Sequence, residues 1–196
     1  MPADFLATLS FILISTFTPG PNNISSAAMG ALHGFKKTLN YLLGITAGFL
    51  LVMFICAVAS SWVLHLFPGI ESLLRYIGAA YTLYLAYGIL RASYGFESEG
   101  AKPLGFANGF LLQLFNPKLI FYGLTLFSTY LAPISSRLIQ LIFAVILLAL
   151  LSFCSISVWA AFGSVIKRYM HDPRARLALN VGLSVLLVIT ALDLVF

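Results

Sequence analysis

Long, continuous apolar runs are the feature that most restricts how this chain can fold. Six of them fall within or above the range of about 17–25 residues that lets a helix cross the hydrocarbon core of a bilayer. They cover residues 5–32, 39–64, 73–90, 104–131, 138–162 and 177–195. A membrane β-strand would instead alternate apolar and polar residues over about ten positions. The sequence therefore predicts an all-α membrane protein with six transmembrane helices.

The composition excludes several classes of protein. Apolar residues make up 61% of the chain and charged residues only 9%, whereas soluble domains average about 45–50% and about 25%. In water, a chain of 196 residues would leave much of that apolar surface exposed. We therefore exclude a soluble enzyme, a disordered chain, a disulfide-rich secreted module and a nucleic-acid-binding domain. An intramembrane enzyme is also not expected, because no histidine or acidic residue lies in the middle of a run.

The positive charges predict the orientation in the membrane. The connections that follow the first, third and fifth runs contain eight Lys and Arg residues, against Arg75 and Arg137 on the opposite side. Cytoplasmic connections are enriched in these residues, so the eight mark the cytoplasmic side and both termini are predicted to be periplasmic. The eight residues are Lys36, Lys37, Arg91, Lys102, Lys167, Arg168, Arg174 and Arg176.

The first run is interrupted by Pro19 and Pro21, which flank Gly20. Each proline removes a backbone N–H donor and clashes with the preceding turn, so the pattern predicts a break in the helix. Asn22 or Asn23 is predicted to cap the half-helix that follows the break. A proline kink that only shapes the packing is the alternative interpretation.

The fourth run contains a matching interruption, in which Gln113 is followed by Asn116, Pro117 and Lys118. Pro19 and Pro117 are 98 residues apart, which is half of the chain. Three runs followed by three more that start on the opposite side are typical of inverted repeats in transporters. We predict one transmembrane domain over residues 1–196, with repeat halves of approximately 1–98 and 99–196. Its first and fourth helices are predicted to be broken at mid-membrane.

Paired breaks of this kind predict a site for a small zwitterion. Carbonyl groups freed at the end of one half-helix can hold an ammonium group, and the N-terminus of the next half can hold a carboxylate. Lys118 lies mid-run without an acidic residue at similar depth, which leaves backbone carbonyls, amide oxygens, water or an anionic substrate as its partners. No cofactor and no metal site are expected, since no histidine has a second ligand at metal spacing. The predicted substrate-binding residues are Pro19, Gly20, Pro21, Asn22, Asn23, Gln113, Asn116, Pro117 and Lys118.

These motifs resemble those of the LysE/RhtB-type amino-acid exporters of bacterial inner membranes. The resemblance covers the whole chain and is carried by the segments 18–23, 33–35, 44–49 and 113–118. The paired asparagines 22 and 23 are most similar to the cysteine/O-acetylserine exporter branch. Membership implies secondary active export of small neutral amino acids or derivatives, driven by the proton-motive force. Cysteine and O-acetylserine, or threonine, homoserine and leucine, are the implied substrates. Protons and the lipid bilayer are the other implied partners. Whether the chain forms a homodimer is left open by the sequence.

Two other functions are compatible with the helical architecture. Cys56 and Cys154 occupy equivalent places in the two halves, which would suit a transmembrane thiol–disulfide carrier. Neither cysteine belongs to a Cys-x-x-Cys pair or has a cationic neighbour that would activate it. A passive small-solute channel would share the fold, but it would not accumulate a solute against a concentration difference. Gly44 and Gly48 in the second run are predicted to serve helix packing.

Overall fold

The structure is a computed structural model that describes residues 2–59, 103–131, 134, 137–169 and 173–195, together with single positions between 76 and 90. All regular structure in these residues is helical. The helices are α1 (Pro2–Phe17), α2 (Pro21–His33), α3 (Phe35–Ala59), α4 (Phe106–Leu114), α5 (Pro117–Thr125), α6 (Leu138–Tyr169) and α7 (Pro173–Val195). A short π-helical segment, Leu126–Tyr130, extends α5.

The described helices are those of a membrane protein. Phe35–Ala59 and Leu138–Ile166 are long and apolar enough to cross a bilayer, and the bent pair α4 and α5 makes a third candidate span. α3 and α6 correspond to the predicted second and fifth runs, with α6 continuing past residue 162 to Tyr169. α7 corresponds to the sixth run. The predicted third run, 73–90, lies largely outside the described residues.

Both predicted interruptions are breaks in the helix. The first lies between Phe17 and Pro21, and the second lies between Leu114 and Pro117. The helices before and after the second break are bent by 56° relative to each other. Pro21 and Pro117 each occupy the start of the second half, where the missing N–H has no intrahelical role. Pro21 and Pro117 thus hold the same position at the start of a half-helix, whereas Pro19 lies within the first break.

Close contacts between glycines and backbone carbonyls hold α2 against α6. A Cβ atom on Gly30 would overlap the carbonyl oxygen of Ala160, and one on Gly163 would overlap the carbonyl oxygen of Ala27. Small residues let two helix backbones approach in this way, and close packing replaces the hydrophobic driving force that is missing in lipid. The second half of the first broken span is thereby fixed on α6.

The same device holds α3 against α4. A Cβ atom on Gly44 would overlap the carbonyl oxygen of Phe106, and one on Gly109 would overlap that of Tyr41. A Cβ atom on Gly48 would lie 2.7 Å from the Cβ atom of Gln113. The predicted packing role of Gly44 and Gly48 is confirmed, and the contact fixes the first half of the second broken span on α3.

The remaining described side chains separate into a buried interior and an apolar exterior. One buried cluster joins α3 with α5, the π-helical segment and α6, and a second joins α2, α3, α4, α6 and α7. Large apolar side chains on the outer faces of α3 and α6 are exposed, as a lipid-facing surface requires. They include Leu43, Leu51, Phe54, Ile55, Ile139, Phe143, Leu147 and Leu150.

The glycine contacts predict which small residue the fold depends on. Replacing Gly30 by alanine should lower the free energy of unfolding by about 1–3 kcal/mol, because the new methyl group forces α2 away from α6. Gly182→Ala is the matched control, since a Cβ atom at that position would meet no described atom within 4 Å outside its own stretch of helix. Thermal unfolding of the two purified variants in detergent measures the difference. Equal melting temperatures would mean that α2 and α6 are packed less tightly than described.

Candidate functional site

The two breaks meet at one cavity between the helices. Its lining comes from the end of α1, the start of α2, α3, the start of α5 and α6. The space between the lining residues, counted together with open solvent at its mouth, is about 440 Å³. The lining residues are Ser15, Thr16, Thr18, Gly20, Pro21, Asn22, Asn23, Phe49, Asn116, Lys118, Leu119, Tyr122 and Ser152.

Most, but not all, of the residues expected at the site line this cavity. Gly20, Pro21, Asn22, Asn23, Asn116 and Lys118 do so. Three others do not. Pro19 is exposed, whereas Gln113 and Pro117 are buried outside the lining. The expectation that Gln113 forms a wall of the cavity is therefore not met, because its side chain is packed against Gly48 instead.

Lys118 lies across Gly20 and reaches the first break. Its Nζ atom donates a hydrogen bond of 3.0 Å to the Thr18 hydroxyl, which itself donates to the Ile14 carbonyl at 2.7 Å. A Cβ atom on Gly20 would lie 3.2 Å from Nζ, so the glycine makes room for the ammonium group. The partner is thus a hydroxyl rather than one of the carbonyls or amide oxygens that the sequence suggested. An ammonium group has three donors, and Thr18 accepts from one of them in the described part of the chain.

Asn116 both caps α5 and joins the two breaks. Its Oδ1 atom accepts a hydrogen bond of 3.3 Å from the Leu119 backbone N–H, as an N-cap side chain does. Its Nδ2 atom donates to Oδ1 of Asn22 at 3.0 Å and to Oε1 of Gln113 at 3.2 Å. Gln113 therefore supports the site from behind Asn116 rather than lining it.

Asn23 fastens the end of α1 to the start of α2. Its Nδ2 atom donates to the carbonyl oxygens of Thr16 and Thr18, both at 2.9 Å. Ser155 on α6 donates to the same Thr16 carbonyl at 3.0 Å and lies 3.4 Å from Oδ1 of Asn23. The side chain of Asn23 is thus occupied by the protein's own backbone, which gives it a structural role at the break.

One expectation for the first break is wrong. Neither Asn22 nor Asn23 caps α2. Gly20 is the N-cap residue and supplies no side-chain hydrogen bond, because Pro21 starts the helix ahead of the asparagines. Of the carbonyl groups at the end of α1, those of Ile14 and Thr16 each accept two hydrogen bonds, whereas that of Ser15 lies 3.4 Å from the Thr18 hydroxyl, which already donates to Ile14.

The electrostatic character of the cavity is positive. α2 and α5 both begin at it, and a helix N-terminus carries partial positive charge and unpaired N–H groups. Lys118 adds a full positive charge, and none of the described residues in the lining carries a carboxylate. Such an arrangement can hold the carboxylate group of a small molecule.

The hydroxyl-bearing part of the lining was missed by the sequence analysis. Ser15 and Thr16 end α1, Thr18 lies in the first break, and Ser152 lies three residues before Ser155 on α6. Side chains three residues apart lie on the same face of a helix. The spacing of Ser152 and Ser155 was therefore a sequence signal for a polar face on α6. Tyr122 also lines the cavity, and among the described residues its buried hydroxyl meets no partner in ordinary hydrogen-bond geometry.

Neither metal ligands nor a cysteine pair stand out in the described residues. No group of three or more His, Cys, Asp or Glu side chains could hold a metal ion there. Cys56 and Cys154 are free thiols, the first buried and the second exposed. The sulfur of Cys56 lies 3.8 Å from the carbonyl oxygen of Ile120.

Comparison with known proteins identifies the family. The LysE type translocator profile matches residues 13–196. The chain belongs to this family. The cysteine/O-acetylserine efflux protein of Salmonella choleraesuis (strain SC-B67) is 37% identical over 196 residues, covering 100% of this chain and 99% of that protein. The protein of the same name from Escherichia coli (strain K12) is 33% identical over 195 residues, with the same coverage of both chains. No solved structure is significantly similar to the chain.

The family is one of translocators, and the apolar helices agree with a membrane location. The matched range includes both breaks, Lys118 and the whole lining of the cavity. The cavity is therefore a feature of the translocator domain itself.

The two asparagines of the first break should respond differently to substitution. Asn23→Ala leaves the partly buried carbonyl of Thr18 without its side-chain donor and should lower the free energy of unfolding by about 1–3 kcal/mol. Asn22→Ala should cost less, because Nδ2 of Asn116 keeps its hydrogen bond to Gln113. Thermal unfolding of both variants in detergent provides the comparison. A greater loss of stability in Asn22→Ala would reverse the roles assigned to the two side chains.

Proposed function

We propose that this LysE-type translocator exports small neutral amino acids or their derivatives across the bacterial inner membrane. Cysteine and O-acetylserine are the first candidates, because relatives that align over the full chain are named for their efflux. Threonine, homoserine and leucine are the next. The observation that carries the proposal is the convergence of Lys118 and two helix N-termini on one cavity.

In the proposed complex, Lys118 holds the substrate carboxylate. Its Nζ atom has donors beyond the one given to Thr18, and the first N–H groups of α2 lie at the same cavity. Asn22 and Asn116 provide amide groups beside it, and Gly20 and Pro21 shape the backbone. Asn23, Pro19, Gln113 and Pro117 act indirectly, by fixing the two breaks.

The proposed architecture is a pair of inverted three-helix halves, approximately 1–98 and 99–196, in one transmembrane domain. Pro21 and Pro117 start equivalent half-helices, which supports the repeat. The first broken span packs on α6, and the second packs on α3. In an inverted repeat, the symmetry that exchanges the two halves would also exchange these two contacts. The exposed Lys36 and Lys37 at the start of α3 suit a cytoplasmic connection, with both termini periplasmic.

The proposed driving force is the proton-motive force. Many proton-driven transporters pass the proton through an intramembrane acid, but none of the described residues in the lining is acidic. Lys118, the ionisable groups of the substrate or a water chain would then carry the proton. The cavity is lined within one chain, so that a homodimer would contain two transport sites.

Lys118→Ala tests the binding site. The variant should lower kcat/KM for uptake of labelled substrate into inside-out proteoliposomes by roughly 10- to 150-fold, since a hydrogen bond to a charged group contributes about 1.5–3 kcal/mol. Lys36→Ala removes an exposed lysine away from the cavity and is the matched control. Unchanged transport by Lys118→Ala would show that the lysine does not bind the substrate.

The driving force and the alternatives are separated in the same vesicles. A panel of cysteine, O-acetylserine, threonine, leucine and lysine is measured with and without an imposed proton gradient. We expect gradient-dependent accumulation of the small neutral members, and the same accumulation by a Cys56→Ser, Cys154→Ser double variant. Equilibration without accumulation would favour a channel. Loss of transport in the double variant would favour the hypothesis of a thiol–disulfide carrier.

A further inference from the structure

We infer that the cavity selects its ligand by the carboxylate group and leaves the α-ammonium group dispensable, so that small hydroxy- and mercapto-monocarboxylates are bound and transported as well. This rests on the proposed function in taking the cavity as the transport site. The ligand class is therefore the small monocarboxylates, of which neutral amino acids are one member.

The charges around the cavity favour an anion over a zwitterion. Lys118 is the charged residue among the described residues of the lining, and no carboxylate faces it there. A monocarboxylate anion bound to Lys118 gives a neutral pair, whereas a zwitterion leaves one positive charge in excess. An uncompensated charge in a low-dielectric interior is costly. The ammonium group of an amino acid thus finds no counter-charge in this lining.

Backbone carbonyls are neutral acceptors, and several of those at the first break already accept hydrogen bonds from the protein. A carbonyl oxygen has two lone pairs. The Ile14 carbonyl accepts from the backbone N–H and the hydroxyl of Thr18, and the Thr16 carbonyl accepts from Asn23 and Ser155. The Thr18 carbonyl accepts from Asn23. At Ile14 and Thr16, an ammonium group would have to displace one of these donors.

The polar side chains of the described lining add neutral acceptors only. Oδ1 of Asn22 already accepts from Asn116, and Oδ1 of Asn116 already accepts from the Leu119 N–H group, which leaves hydroxyl groups such as that of Ser152. The Lys118 ammonium group, in contrast, has donors beyond the one directed to Thr18. The described lining therefore offers a charged donor to a carboxylate and neutral acceptors to an ammonium group.

Ligand analogues that lack one group at a time test the inference. Cysteine is compared with 3-mercaptopropionate, which lacks the ammonium group, and with cysteamine, which lacks the carboxylate. Serine, 3-hydroxypropionate and ethanolamine form a second series without a thiol. Each compound is titrated, under reducing conditions, against thermal unfolding of the purified full chain, because a ligand that binds the folded state stabilises it.

The two acids should bind within about fivefold of their parent amino acids, and the two amines should bind more weakly by about tenfold or more. Lys118→Met, whose own melting curve shows whether it is folded, should lose the stabilisation by the acids. Uptake of labelled 3-hydroxypropionate into inside-out proteoliposomes then shows whether the acid is carried rather than only bound.

The outcomes separate this inference from the proposed function. Binding of cysteamine but not of 3-mercaptopropionate would overturn the inference, and amino-acid uptake in the same preparation would leave the proposed function intact. Uptake of 3-hydroxypropionate without uptake of any amino acid would support the inference and overturn amino-acid export. Failure of both acids to stabilise the protein would overturn the inference whatever the vesicles transport.

Discussion

Backbone hydrogen bonding inside a membrane is the constraint on which the rest of this structure depends. A helix that breaks in hydrocarbon must satisfy its freed carbonyl and N–H groups within the protein, because no bulk water is available. Here Asn23 and Ser155 bind the carbonyls of Thr16 and Thr18 at the first break, and Asn116 caps the N–H end of the second. The protein can therefore keep two interrupted spans whose open ends face a cavity rather than lipid.

Glycine contacts place these two breaks where they can act together. Gly30 and Gly163 bring α2 and α6 into backbone contact, while Gly44 and Gly109 do the same for α3 and α4. Because α3 and α6 also pack against each other, the two contacts bring both breaks to one cavity. The hydrogen bonds from Lys118 to Thr18 and from Asn116 to Asn22 then cross between the breaks. Close packing thus positions the helices, and the polar contacts join the two breaks.

The polarity of the cavity follows from how the breaks are satisfied. Several carbonyls of the first break accept hydrogen bonds from the protein's own donors, whereas the N-terminal side keeps N–H groups and the Lys118 ammonium group available. This asymmetry points toward recognition of anionic groups. It is the physical basis on which we propose that this member of the LysE type translocator family binds the carboxylate of its substrate.

The sequence by itself determined the class of fold, the two breaks and the lysine beside them. Apolar runs and internal prolines act locally, and a bilayer leaves few alternatives to a helix. Only the tertiary structure decided that Asn23 ties α1 to α2, that Gln113 supports Asn116 from outside the lining, and that Thr18 is the partner of Lys118. Those roles depend on which helices meet and in what register. Residue types at a break predict that polar groups gather there, but the packing of α2, α3 and α6 selects their partners.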